Sequence, residues 1–209
     1  MRPELTGLGI ADPPERWADL GFAVADGHVD LGAVRVKLGE PGEGIVSWTL
    51  RGVEAGDIDG LTTFADDAAR EIGADVSTTT RNLDRTPHGA KCHVDHVVVL
   101  TPDFDRTSAA LAGAGLPLRR VRDAGGFRQG FRRLGPAILE LVEARDAPEG
   151  PARFWGLVVI VSDLDALALR LGDRLGAIHE AVQPGRRIAT LRHSAGLGPA
   201  LAFMDPELT

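Results

Sequence analysis

The sequence predicts an α+β fold in which tandem βαβββ modules form a curved mixed sheet around a cavity, and three observations point to it. First, the chain repeats itself at a separation of about 60 residues, in the range of repeated folding units. Val97-Val98-Val99-Leu100-Thr101-Pro102-Asp103-Phe104-Asp105 aligns without gaps with Leu157-Val158-Val159-Ile160-Val161-Ser162-Asp163-Leu164-Asp165. Second, Leu134-Gly135-Pro136-Ala137 recurs as Leu197-Gly198-Pro199-Ala200, three residues later in its copy. Third, Leu164, Leu167, Leu171 and Leu175 recur at spacings of three and four, which lays one apolar stripe along a helix and turns it toward a sheet.

Each copy opens with an apolar run too short for a core helix and rich in β-branched residues, as a strand buried on both faces requires. A helix follows. In the first copy Thr101 is placed to cap it with Pro102 at the first helical position, and in the second Ser162 caps with Asp165 three residues on. Asp103 and Asp163 read as helix-start acids. Gly-rich turns then separate extended segments at Leu118–Val121, Phe127–Arg133 and Ala137–Glu143, and in the second copy at Ala177–Val182, Arg187–Arg192 and Ala200–Met204. The modules therefore span 91–147 and 152–209. Residues 1–56 read as a third, degenerate copy, with strands at Leu5–Ala11, Val34–Leu38 and Ile45–Leu50 and a short helix opened by Asp12-Pro13-Pro14. Residues 57–90 read as a linker carrying one helix, Phe64–Ile72, and a Ser77-to-Asn82 connector.

Composition narrows the function. Of 209 residues, 44% are hydrophobic and 25% charged, so a packed core is expected. The formal charge of −7 argues against nucleic acid as a partner, because phosphate neutralisation needs a basic surface. No apolar stretch approaches the ~20 residues of a membrane helix, and the start lacks the pattern of a signal peptide, so no membrane partner and a cytoplasmic location are expected. The single cysteine, Cys92, excludes an intrachain disulfide and has no basic helix start beside it to activate the thiol. Gly7-Leu8-Gly9 and Gly113-Ala114-Gly115 lack the spacing of a nucleotide-binding loop.

The tandem βαβββ pattern, with His96-Val97-Val98-Val99 opening one copy and Ile138-Leu139-Glu140-Leu141-Val142 closing it, resembles the vicinal oxygen chelate superfamily of glyoxalases, bleomycin-resistance proteins and extradiol dioxygenases. The resemblance implies modules paired around a cavity, with metal ligands on the first and last strand of each. Carried onto this sequence, those positions are His96 and Glu140 in the middle module. Both interrupt otherwise apolar strand faces, and a buried carboxylate needs a partner. A divalent metal (zinc, iron, nickel or manganese) held by His96 and Glu140 is one such partner, with Glu140 or His96 otherwise acting as a base. In the last module the alignment sets Gly156 opposite His96 and Phe203 opposite Glu140, neither of which binds metal. Further ligands would come from Asp95, His93, His28, His179, His193 or a second subunit.

Arginines gather between Arg119 and Arg133. Arg128 and Arg132 are expected to clamp an anionic ligand, with Phe131 and Trp155 as apolar walls. The expectation is a glyoxalase-like protein that holds a small, anionic molecule between modules, with metal-assisted lyase, isomerase or dioxygenase-type chemistry. The alternative is metal-free sequestration of a small molecule, as in bleomycin-resistance proteins. An odd number of modules leaves one unpaired, so a homodimer is expected.

Overall fold

The computed structural model describes residues 2–66 and 92–207. Its first half holds β1 (Glu4–Ile10), α1 (Pro14–Asp19), β2 (His28–Leu31), β3 (Val34–Leu38), β4 (Ile45–Arg51), β5 (Gly56–Ile58) and β6 (Leu61–Ala65). These strands make a six-stranded sheet in the order β2-β3-β1-β4-β6-β5. At its centre β1 and β4 run antiparallel, and each carries its own parallel neighbour, β3 on β1 and β6 on β4. The N-terminal region is thus two shortened modules joined by their first strands. One is βαββ and the other βββ.

This differs from the single degenerate copy expected over 1–56, because β5 and β6 extend the sheet into the stretch read as linker. Polar residues alternate with apolar ones there, as suits a strand with one covered face: Leu61 and Thr63 are buried while Thr62 and Phe64 are exposed. Asp59 and Gly60 both take positive φ, 51° and 92°, in the two-residue turn that pairs Ile58 with Leu61. Such a turn twists with its strands only when both central residues are left-handed, which Asp-Gly tolerates. Of the helix expected at Phe64–Ile72, Phe64 and Ala65 are strand and Asp66 follows the strand; residues 67–72, and the Ser77-to-Asn82 connector, lie outside the described residues.

The second half carries β7 (His93–Thr101), α2 (Phe104–Gly113), β8 (Arg120–Asp123), β9 (Arg128–Leu134) and β10 (Ala137–Glu143). The next module follows with β11 (Arg153–Ile160), α3 (Leu164–Leu171), β12 (His179–Glu180), β13 (Arg187–Thr190) and β14 (Ala200–Met204). Together they form an eight-stranded sheet, β12-β13-β14-β11-β7-β10-β9-β8. Here too the first strands β7 and β11 pair antiparallel, while the last strand of each module lies parallel to its first. Both pairings occur within one chain, so the module count no longer requires a second subunit.

The helices start at the equivalent acids instead of the residues expected as caps. Asp103 accepts from the Arg106 amide at 3.0 Å, and Asp163 from the Ala166 amide at 2.8 Å. Thr101 turns inward, its hydroxyl 2.6 Å from that of Thr107. The leucine stripe on α3 is buried as its spacing requires.

The two sheets stack back to back. Trp48 of β4 meets Phe154 of β11 edge-on with centroids 5.3 Å apart, and Phe22 stacks on Phe203 of β14 at 6.2 Å. Buried aromatic rings contribute roughly 1.5–3 kcal/mol each. Polar pins fix the register: Asp12 takes the Trp17 indole N–H at 3.2 Å and the Gly198 amide at 2.8 Å. Asp59 takes Arg106 Nε at 2.9 Å and the Thr107 hydroxyl at 2.5 Å. Each sheet therefore has one face in a shared core and one helix-free face, and the two helix-free faces look away from each other.

Candidate functional site

The parallel register of β7 and β10 places Ile138 beside His96 and Glu140 beside Val98. Residues paired in register, and residues two apart on a strand, share a face. His96 and Glu140 therefore project from the same face of the eight-stranded sheet, while Val97, Val99, Leu139 and Leu141 face the core. Phe131 of β9 stands opposite Glu140, and Arg122 of β8 opposite Gln129, which brings all three onto that face.

The side chains form a connected set. Gln129 Nε2 donates to Glu140 Oε1 at 2.8 Å, and Arg122 Nε donates to Gln129 Oε1 at 2.8 Å. The Arg122 guanidinium lies 5.2 Å above the Phe131 ring. Burial pushes the Glu140 carboxyl above the usual carboxylate range, against the opposing pull of His96 and Arg122. No hydrogen bond joins His96 to Glu140 directly; their interaction is electrostatic.

On its other side His96 meets Asp95. A bulge in β7, where Val158 and Val159 pair with His96 and Val94, admits Asp95 as an extra residue. Its Oδ2 lies 2.5 Å from His96 Nδ1. Buried Arg186 donates from Nη2 to Asp95 Oδ1 at 3.4 Å and from Nε to the Asp205 carbonyl at 2.8 Å. Burial alone would raise the Asp95 carboxyl, but His96 and Arg186 together outweigh it and hold it below the ordinary value. The sheet thus carries a polar line from Arg186 through Asp95 and His96 to Glu140, Gln129 and Arg122.

The last module contributes no metal ligand at the two equivalent strand positions. Register sets Gly156 beside Ala200 and Val158 beside Ala202, so the counterpart of Glu140 is Ala202, one residue from the Phe203 of the sequence alignment. The alignment allowed three extra residues between the first and last strands of this module where the register takes up two, and Phe203 faces the core. Gly156 is held to glycine by space. A Cβ there would collide with the carbonyl oxygen of Ala200 and sit 2.8 Å from its Cβ.

The expected ligand-binding residues separate. Phe131 joins the site, but Arg128 and Arg132 alternate with it along β9 and point to the opposite face. Arg128 is held there by Asp105 at 2.7 Å and Glu143 at 3.0 Å, over the Phe104 ring at 4.6 Å. The Arg128 hydrogen bonds bring the Glu143 carboxyl down to about 2. Arg132 lies near Arg119 with its Nε buried. Trp155 is the extra residue of a bulge in β11 and is nearly half exposed. Gln129 went unnoticed in the sequence, although its spacing from Phe131 marks it for the same face.

Of the expected further ligands only Asp95 approaches the site, and its carboxylate is turned to His96 and Arg186. His28 binds the Asp26 carbonyl at 2.7 Å on the other sheet, while His179 and His193 lie on β12 and in a short 3-10 turn. Among the described residues no group of three His, Cys, Asp or Glu side chains is placed to hold a metal ion. One imidazole and one carboxylate leave a divalent ion mostly to water, so the donor set does not fit a resident metal. The Cys92 thiol is largely covered, and burial raises it to about 12.

Modules paired by their first strands, with the last strand of each parallel to its first, define the fold of the vicinal oxygen chelate superfamily. No protein-family model matches the sequence, and no curated protein matches it. Among solved structures, the chain is similar to a triple variant of 4-hydroxymandelate synthase from Streptomyces coelicolor, with TM-score 0.65 and 13% identity over 99% of this chain and 93% of that one. Methylmalonyl-CoA epimerase from Mycobacterium tuberculosis aligns with TM-score 0.45 and 22% identity over 55% of this chain and 88% of that one. What is shared with the synthase is the fold. No helix among the described residues is long and apolar enough to cross a membrane.

Proposed function

We propose that this chain binds a small, anionic molecule on the helix-free face of its eight-stranded sheet and moves a proton on it, as an isomerase or lyase does, with Glu140 as the base. The carrying observation is that Glu140 is lifted by burial yet faces His96, with Gln129 fixing its Oε1. A carboxylate raised toward neutrality accepts a proton from carbon more readily than an ordinary one. Arg122, on the same face, supplies charge for an anionic group of the ligand, and Phe131 an apolar wall. His96, with the Asp95 carboxylate beside it, lies on the same face and is placed to orient the ligand against Glu140. The expected metal takes no part in this reading, because among the described residues only two donors converge.

Deuterium incorporation at the carbon next to the ketone of pyruvate, 2-oxobutyrate and levulinate in D2O, followed by proton NMR, tests it. Incorporation about 100-fold or more above the uncatalysed rate, abolished in Glu140→Gln, is expected. Absence of exchange with all three overturns proton transfer for this class of acid. A second reading, sequestration without chemistry, is favoured by the small apolar floor of Gly156, Ala200 and Ala202. It predicts saturable binding that Glu140→Gln leaves intact.

A further inference from the structure

A hollow lies elsewhere, on the helix-free face of the six-stranded sheet, on the far side of the molecule from Glu140. It measures about 730 Å³, within the ~300–1,000 Å³ of small-molecule sites. Its floor is the junction of β1 and β4. Gly7 stands opposite Thr49, and Gly9 opposite Ser47. A Cβ on Gly9 would fall 2.5 Å from Ser47 Oγ, and one on Gly7 would fall 3.1 Å from Thr49 Cβ, so both positions keep the floor low by lacking a side chain.

The walls are charged but satisfied. Arg35 pairs with Asp30 at 2.9 Å, Lys37 with Glu40 at 2.6 Å, and Arg51 with Glu4 and Asp66 at 2.8 Å each. Three cations against four carboxylates leave little net field to concentrate an ion, and a charged ligand would have to break an existing pair. Fixed in this way, the carboxylates present acceptors and the guanidinium groups donors. The hydroxyls of Ser47 and Thr49, on the floor between them, bond to no described residue, and each can both donate and accept. Phe64, in register with Thr49 on β6, exposes 55% of its surface at the rim of this otherwise polar groove.

We infer that the N-terminal sheet is a second binding site, for a neutral polyhydroxylated molecule such as a saccharide. Balanced charge, paired donors and acceptors, free hydroxyls and one exposed ring match a ligand with many hydroxyls and an apolar C–H face. No single ionic group matches them together. The site is independent of Glu140, since the stacked core separates the two faces.

Isothermal titration of the full chain tests it, with maltose and N,N′-diacetylchitobiose as neutral probes and glucose 6-phosphate and glucosamine as charged ones. At least one neutral disaccharide is expected to bind saturably at millimolar or tighter affinity, and Phe64→Ala and Thr49→Val each to weaken it about tenfold. Glu140→Gln is expected to leave it unchanged. Phe64 is exposed and Thr49→Val keeps its shape, so both variants fold. The inference is overturned if neither disaccharide saturates, if a charged probe binds more tightly, or if both groove variants bind as the parent does.

Discussion

Gly156→Ala isolates the feature that removes a ligand position from the last module. The glycine has no left-handed backbone to preserve, so alanine is allowed there conformationally and the effect is one of space. The new Cβ would lie 2.8 Å from Ala200 Cβ and closer to the Ala200 carbonyl oxygen, whereas carbon pairs settle at about 3.5–4.0 Å. Relief requires β11 and β14 to part by about 0.7 Å or more at a point where their parallel ladder is in register. Overpacking of this kind costs about 1–3 kcal/mol, more than the ~0.4–1 kcal/mol gained by restricting the unfolded chain. For a domain of this size, a net loss of about 1–2 kcal/mol lowers the melting temperature by about 2–8 °C. Ala200→Gly in the same chain removes only the Cβ contact and leaves the carbonyl, so the double variant stays less stable than Ala200→Gly alone. Scanning calorimetry reads both. A Gly156→Ala melting temperature equal to or above the parent's refutes the reasoning, because β11 and β14 would then have room for a side chain and the position would be open to a ligand.

Two further outcomes concern the polar line. A carboxyl raised in the folded state contributes its stability fully at acid pH and loses it as pH rises through the folded value. Glu140→Gln is therefore expected to be as stable as the parent near pH 4 and more stable by about 0.5–2 kcal/mol at pH 8, as relief of a functional group typically gives; thermal melts across that range check it. Arg186→Met leaves Asp95 half-buried without its cation and is expected to cost about 3–5 kcal/mol, with Asp95→Asn in the same chain restoring much of it; a denaturant double-mutant cycle measures this.

The second half of the fold was legible because its strands carry unbroken runs of β-branched and leucine residues that no exposed segment would tolerate, and because the helices repeat their acids at Asp103 and Asp163. The shortened N-terminal pair was less so. Its strands are half polar, and the signals that define them are turns: Asp26-Gly27 and Asp59-Gly60, whose positive φ values close two hairpins. His96 and Glu140 were readable as polar interruptions of apolar strands. Arg128 and Arg132 were misassigned because the arginine cluster was read by density, whereas strand alternation already assigns them to the face opposite Phe131. The pairing of Asp95 with His96 depends on a β-bulge, which is set by the register against β11 and leaves no local mark.

The central claim is that Glu140 and His96 share one face and one electrostatic field. Carbon-13 NMR of the Glu140 side-chain carboxyl across a pH titration, with the His96 ring followed in the same samples, tests this most directly. The account predicts a Glu140 midpoint above the ~4.3 of a free glutamate, with a second inflection in the His96 ring signals at that same pH. A midpoint at or below that of a free glutamate, with no response from His96, would contradict it.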